Sequence, residues 1–234
     1  MWNFIKKAWN RAGFIDEGSN AIPVKSFDKI NRVLAAARNA VCKVKAPNKA
    51  LGTGALYEVV DRNRKSRFLI MTCNHVLQIT SPNEITQTIF EFEDIQLMKH
   101  LDLSQKHVKN IWTSSSLDAT VIEISFEKAT ILKSYGAIFL KVGHVSPKVE
   151  VAVLQYPGGV FSIAYGDVDE IIENDVYYQI GTAAGSSGSP LLDWDCVALA
   201  MHKQGYTGSA CDNPKVKRKA SVISHNSSSQ RLFE

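Results

Sequence analysis

The run Gly185-Ser186-Ser187-Gly188-Ser189-Pro190 sets a hydroxyl between two glycines. Glycine adopts backbone angles closed to other residues, so this run permits a tight turn that exposes Ser187. The same turn can aim the N–H groups of Gly185 and Ser187 at one point, as stabilising an oxyanion in acyl transfer requires. Taken alone, the run also suits a small-residue surface loop. A serine hydroxyl is a poor nucleophile until a base removes its proton. Of the six histidines, His75, His100, His107, His144, His202 and His225, only His75 lies at the end of a strongly apolar stretch, 68–77. An imidazole base needs a carboxylate to fix its tautomer and stabilise its charged form. Asp118 opens the apolar stretch 119–124 and is the best-placed acid, whereas Glu91, Glu93 and Asp94 stand among other charges. The reading is a base at His75, an orienting acid at Asp118 and a nucleophile at Ser187.

Bringing together groups so distant in sequence calls for a scaffold of many short elements. Cys42, Val44 and Ala46 alternate with Lys43 and Lys45, the period of a half-buried strand. Further strands are expected over 52–60, 67–73, 89–93, 119–124, 151–155, 162–168, 177–180, 197–202 and 220–223. Turn signals such as Asp61-Arg62-Asn63 and Pro157-Gly158-Gly159 separate them. Such a series predicts an all-β sandwich or barrel. Two helices are expected ahead of the strands. Trp2, Ile5 and Trp9 fall on one face near the start, read as a short helix packed on the body rather than a membrane anchor. Ser26 then caps a helix carrying Phe27, Ile30, Val33, Leu34 and Ala37 on one stripe. The organisation expected is a helical extension over 1–38 and a catalytic domain over 39–234, in halves 39–130 and 145–234 meeting near 126–147.

Composition excludes several classes. With 234 residues, 45% apolar and 21% charged, the chain is neither disordered nor a membrane bundle. The formal charge of +4 is too small to argue for nucleic acid. Lys6, Lys7 and Arg11 form one short basic patch, and KVKRK over 215–219 forms another, either an anion patch or a solvated loop. Neither has an interleaved aromatic platform, so nucleic-acid or membrane contact is not expected. Cys42, Cys73, Cys196 and Cys211 show no CxxC pair and no metal spacing, which predicts free thiols, no metal and no cofactor. The opening MWNFIKKAWN mixes charge into its apolar residues and does not read as a secretory signal. An intracellular location, cytoplasmic or nuclear, is expected.

Thr72-Cys73-Asn74-His75-Val76, the stretch opening Leu117-Asp118-Ala119, and Gly185 to Pro190 together resemble the three catalytic blocks of trypsin-like serine peptidases. Their order, His then Asp then Ser, is that of the chymotrypsin class. The resemblance covers about Val41 to Phe233 and implies two six-stranded antiparallel β-barrels with His75 and Asp118 from the first and Ser187 from the second. It implies a serine endopeptidase acting on polypeptides, with no cofactor. The short-loop branch is the nearest in appearance: glutamyl endopeptidases, viral main peptidases and vertebrate peptidases associated with replication forks. In the first two, a Thr five residues before the nucleophile and a His about fifteen after it line the P1 pocket. Thr182 and His202 stand at those offsets, so cleavage after Glu or Gln is expected, against the aromatic preference of the replication-fork group. Lys203, Gln204 and Gly205 would pair with the substrate through their backbone. Self-processing would suit the terminal Glu234. The chain departs from secreted trypsins in carrying Ser186 where their activation Asp stands, so no N-terminal ion pair is expected to build the oxyanion hole. A catalytically silent barrel serving as a binding module is the rival to activity.

Overall fold

The computed structural model describes residues 24–47, 49–79, 82–93, 100–101, 103, 105–204 and 218–222. The helix expected around Trp2 to Trp9 lies outside them. The second expected helix is α1 (Val24–Ala37); it begins two residues ahead of Ser26, so Ser26 lies within its first turn rather than capping it. Its apolar stripe buries Ile30, Val33 and Ala37, as spacings of three and four dictate. Its polar side docks on the second half of the chain. Lys29 Nζ lies 2.8 Å from Glu150 Oε2 and 5.0 Å above the Trp194 ring, whose Nε1 donates to the same carboxylate.

Two sheets follow. The first contains β1 (Val41–Lys45), β2 (Leu51–Val60), β3 (Ser66–Thr72), β4 (Ile89–Glu91), β5 (His100–Leu101), β6 (Val108–Ser114) and β7 (Ala119–Ile124), in the order β5-β4-β1-β2-β3-β7-β6. All its pairings are antiparallel. The second contains β8 (Lys141–Val142), β9 (Glu150–Gln155), β10 (Ser162–Ile172), β11 (Asp175–Tyr178), β12 (Pro190–Leu192), β13 (Val197–Gln204) and β14 (Arg218–Val222). Its order is β12-β9-β10-β11-β14-β13-β8, and β12 also pairs with β13. That pairing closes six antiparallel strands into a barrel, with β8 parallel against the outside of β13.

Residues 126–147 hold a helix, α2 (Phe126–Ser134), capped by Ser125 Oγ accepting from Lys128 N, and then β8. Leu140 exchanges backbone bonds with Leu56 and Glu58 of the first sheet, while Lys141 and Val142 pair with β13. The connector is therefore stitched to both halves. The sequence pattern does not announce β5, β6, β8 or β12, because β6 mixes Lys109 and Asn110 into its run and the other three are only two or three residues long. The basic run over 215–219 is not wholly a solvated loop: its last two residues, Arg218 and Lys219, pair with β11 as part of β14.

Candidate active site

His75 lies just past the end of β3, in a single helical turn over Asn74–Leu77. Asp118 stands immediately before β7, which pairs with β3 from Phe68 to Thr72. Adjacent strands thus deliver the two groups side by side. Asp118 Oδ2 is 2.6 Å from His75 Nδ1, and Asp118 Oδ1 accepts the His75 backbone N–H at 3.0 Å. The Asp118 carbonyl also accepts the Asn74 N–H at 3.2 Å. Asp118 reaches this position with φ at +50°, a left-handed conformation that Asp and Asn tolerate better than most residues. The rival carboxylates are engaged elsewhere: Glu91 bonds Lys43 and Lys45 across β1 and β4, and Glu93 lies 4.0 Å from Arg38. Asp94 lies outside the described residues.

Ser187 is half-buried in the loop before β12. Gly185 and Gly188 take φ of +99° and +93°, and a Cβ on either would collide with backbone. At Gly188 it would fall 1.9 Å from the Thr53 carbonyl, and at Gly185 2.4 Å from that of Tyr156. The loop's orientation follows from where its carbonyls go. Ala184 C=O accepts from Gly158 N and Ser186 C=O accepts from Ser189 N. In a trans peptide the N–H opposes the carbonyl, so the N–H groups of Gly185 and Ser187 point the other way. Among the described residues, neither has an acceptor. Ser186 is fully buried, with its Oγ accepting from Ala183 N and its own N–H donating to Ala183 C=O. The residue standing in for the activation Asp is thus satisfied locally, with no buried charge awaiting an ammonium.

Thr53 of β2 carries this loop across from the other sheet. Its N–H donates to Ser187 C=O at 2.8 Å, and its hydroxyl donates to Gly185 C=O at 2.7 Å while accepting from Tyr156 N. Thr72 Oγ1 in turn donates to the Thr53 carbonyl. Among the described residues no hydrogen bond joins Ser187 to His75 in this resting state. Such bonds are often long without substrate.

Thr182 and His202 lie beside the loop. Thr182 is buried and its hydroxyl has no partner among the described residues. His202 is 2% exposed, its backbone bonded to Gly188 N and Ser189 C=O, and its Nδ1 bonded to the buried Tyr178 hydroxyl. Burial, aided by the charges of Arg218 and His75, pulls its pKa down to about 3, so the ring is neutral. The Lys203 side chain turns away to Asp175, which also binds Lys219. On the side facing β12, the pairing of β13 ends at Met201, and the bonds of His202 complete it. Gln204 is therefore paired only on the β14 side among the described residues, and Lys203 sits at the bulge between His202 and Gln204; Gly205 lies outside them.

Cys73, His75 and Asp118 could in principle hold a metal, since one ligand atom from each lies within 4.8 Å of the others. The Cys73 thiol instead donates to the His202 carbonyl at 3.2 Å, and burial and the Asp118 charge push its pKa up. A thiol held protonated is a poor ligand.

Residues 52–201, most of the chain, match the trypsin-like peptidase domain. The chain belongs to the trypsin-like peptidase family. This membership supports a serine peptidase, a hydrolase of peptide bonds. No curated protein matches the sequence. Among solved structures, this trypsin-like chain is similar to the active form of the Rv3671c protease of M. tuberculosis. That match has 18% identity and a TM-score of 0.61, and covers 89% of both chains. It is similar also to an HtrA-type protease, AlgW, solved with a tripeptide. There the identity is 13% and the TM-score 0.60, over 82% of this chain and 59% of the other. A serine endoprotease from Yersinia pestis gives 14% identity and a TM-score of 0.60, over 86% and 64%. At these identities the likeness establishes the chymotrypsin-like fold. Among the described residues, no helix is long and apolar enough to cross a membrane.

Sequence reasoning missed Thr53, Tyr178 and the individual part of Arg218. Thr53 lies in a strand whose pattern reads simply as buried, so nothing local marks it. Arg218 was hidden inside a basic run that looked like a single feature.

Proposed function

We propose that the chain is a serine endopeptidase in which Ser187 is the nucleophile, His75 the general base and Asp118 the group that orients it. One observation carries the reading: Asp118 clamps His75 at both its ring Nδ1 and its own backbone N–H. The clamp favours the tautomer with Nδ1 protonated and Nε2 free to take a proton. Ser187 Oγ would bond to the scissile carbonyl carbon as its proton passes to His75 Nε2. The oxyanion formed would lie against the free N–H groups of Gly185 and Ser187. Collapse breaks the C–N bond, and the leaving amine takes the proton from His75. Water, deprotonated by the same imidazole, then cleaves the ester and regenerates Ser187.

Cleavage after Glu or Gln is supported by the unpartnered Thr182 hydroxyl and the neutral His202, both buried donors suited to a side-chain oxygen. An apolar P1 residue would leave them unsatisfied, at about 1–3 kcal/mol each. The backbone of Lys203 and Gln204, unpaired on the side facing β12, suits a substrate that adds as a strand. The polypeptide substrate and an intracellular setting are parts of the same reading.

The test is fluorophosphonate labelling of wild type and Ser187→Ala, followed by a peptide-library cleavage profile. Labelling and cleavage lost together in the variant support the assignment, with turnover falling on the order of a million-fold. A variant keeping a tenth of the activity overturns it, and wild type that neither labels nor cleaves marks a silent binding module. A profile led by Phe, Tyr or Leu at P1, unchanged in His202→Ala, overturns the specificity while leaving the nucleophile in place.

A further inference from the structure

β14 lies between β11 and β13, with Arg218 opposite Tyr178 and Ala220 opposite His202. Cross-strand partners share a face, and side chains alternate with a period of two. Arg218, Tyr178, Ala220 and His202 therefore project to one face, the barrel interior, where the last three are at most 2% exposed. Lys219, the next residue, turns outward to Asp175, as does Lys203 at the bulge in β13. Arg218 thus enters the barrel wall beside the Tyr178–His202 pair, while its basic neighbour stays outside.

Its Nε is buried and has no acceptor, and among the described residues no carboxylate pairs with its guanidinium. Arg218 is otherwise half-buried, so its guanidinium keeps part of its hydration and stays open to an anion. A carboxylate brought by a ligand would give Arg218 the anionic partner that the described residues do not supply. Burial chiefly, and the Arg218 charge with it, keep His202 uncharged, so the imidazole can offer a hydrogen bond but no positive charge. The charge in this part of the barrel belongs to Arg218.

We propose that Arg218 reads charge in the P1 pocket, so that the enzyme takes an acidic side chain, Glu, over its amide, Gln. The inference rests on the P1 reading of Thr182 and His202 and adds to it the sign of the side chain. Arg218 supplies a guanidinium for one carboxylate oxygen, while His202 and Thr182 hold hydrogen bonds that Glu and Gln share.

The experiment measures kcat/KM of the full chain on two peptides identical except for Glu or Gln at P1. Wild type is expected to favour Glu by roughly 10- to 150-fold, the equivalent of a hydrogen bond to a charged group. Arg218→Gln should bring the ratio near one by slowing the Glu peptide alone, and Lys219→Gln, on the outer face, should leave it unchanged. A wild-type ratio of one or below overturns the proposal, as does a Glu preference that persists in Arg218→Gln or disappears in Lys219→Gln. If Arg218→Gln does not fold, the wild-type ratio decides by itself. Cleavage after neither residue, with apolar P1 peptides cut instead, would fail the pocket reading itself. Equal cleavage after both would fail only the assignment to Arg218.

Discussion

Asp118→Asn isolates the tautomer of His75 from everything else the carboxylate does. The substitution preserves shape, and Asn is among the few residues that accept φ near +50°, so the backbone carries no new strain. The Asn oxygen can keep the bond from the His75 backbone N–H that Oδ1 makes at 3.0 Å. The amide NH2 then faces His75 Nδ1 in place of Oδ2, which now lies 2.6 Å away. A donor at that distance forces Nδ1 to accept, which moves the ring proton to Nε2. An Nε2 that already carries a proton cannot take one from Ser187. The expected loss is about ten thousand-fold in kcat, or about 5.4 kcal/mol of transition-state stabilisation. Asp118 is partly exposed, its side chain 24% accessible, so stability should change by no more than about 0.5 kcal/mol. The assay pairs peptide hydrolysis with a urea unfolding curve and fluorophosphonate labelling. Slow labelling with an unchanged unfolding midpoint is the expected pattern. A loss under tenfold would refute the tautomer argument, and with it the role given to Asp118.

Other consequences concern the scaffold. Arg67 grips Glu123 with two nitrogens, at 3.2 and 2.9 Å, and Asn110 adds a third bond, all on a carboxylate only 8% exposed. Glu123→Ala removes the carboxylate that Arg67 and Asn110 share and should cost roughly 1.5–3 kcal/mol in urea unfolding. Burial raises the Glu123 and Asp175 carboxyl pKa values, but hydrogen bonds and charges from Arg67, and from Lys203 and Lys219, outweigh it and lower both. A lowered folded pKa gives stability that is present above the unfolded values of 4.5 and 3.8 and lost as pH falls through the folded ones. The urea midpoint should hold from pH 7 to 5 and drop below about pH 4. Gly188→Ala sets a Cβ 1.9 Å from the Thr53 carbonyl at a φ of +93°, and should destabilise by roughly 2–6 kcal/mol and abolish cleavage.

The candidate groups stand out in the sequence more readily than the scaffold that positions them. His75, Asp118 and Ser187 were legible because each interrupts an apolar or small-residue run with a group of unmistakable type. Strands such as Ala119–Ile124 were legible to the residue, since a run buried on both faces needs no alternation to be noticed. β6 escaped because its inner and outer positions differ little in polarity, and register against β7 rather than local pattern holds it in place. A strand is expected over 67–73 ahead of His75; it stops at Thr72, and a helical turn carries the imidazole. No propensity predicts that turn, because Asp118 fixes it from 43 residues away through the N–H groups of Asn74 and His75. The residues proposed for the P1 pocket divide in the same manner. Thr182 and His202 follow from offsets along one chain, but Arg218 acquires its meaning only from its place opposite Tyr178.

Thr53 shows why the site needs both sheets at once. A threonine hydroxyl has one proton to give and lone pairs to receive, and Thr53 spends both on the second half of the chain, at Gly185 and at Tyr156. Its backbone N–H holds Ser187, and its carbonyl, the group that a Cβ on Gly188 would strike, takes the Thr72 hydroxyl at the end of β3. β3 leads two residues later into Asn74 and His75. One residue thus connects the strand that leads to His75 with the turn that presents Ser187. The first link acts through its carbonyl, and the second through its N–H and hydroxyl. Ser221 of β14 closes the circuit from the other side, donating at 2.8 Å to the carbonyl of Leu117, the residue before Asp118. Each half of the chain therefore anchors part of the other, Thr53 at Ser187 itself and Ser221 at the residue before Asp118. The geometry at Ser187, His75 and Asp118 is a property of the seam between the sheets rather than of either sheet alone.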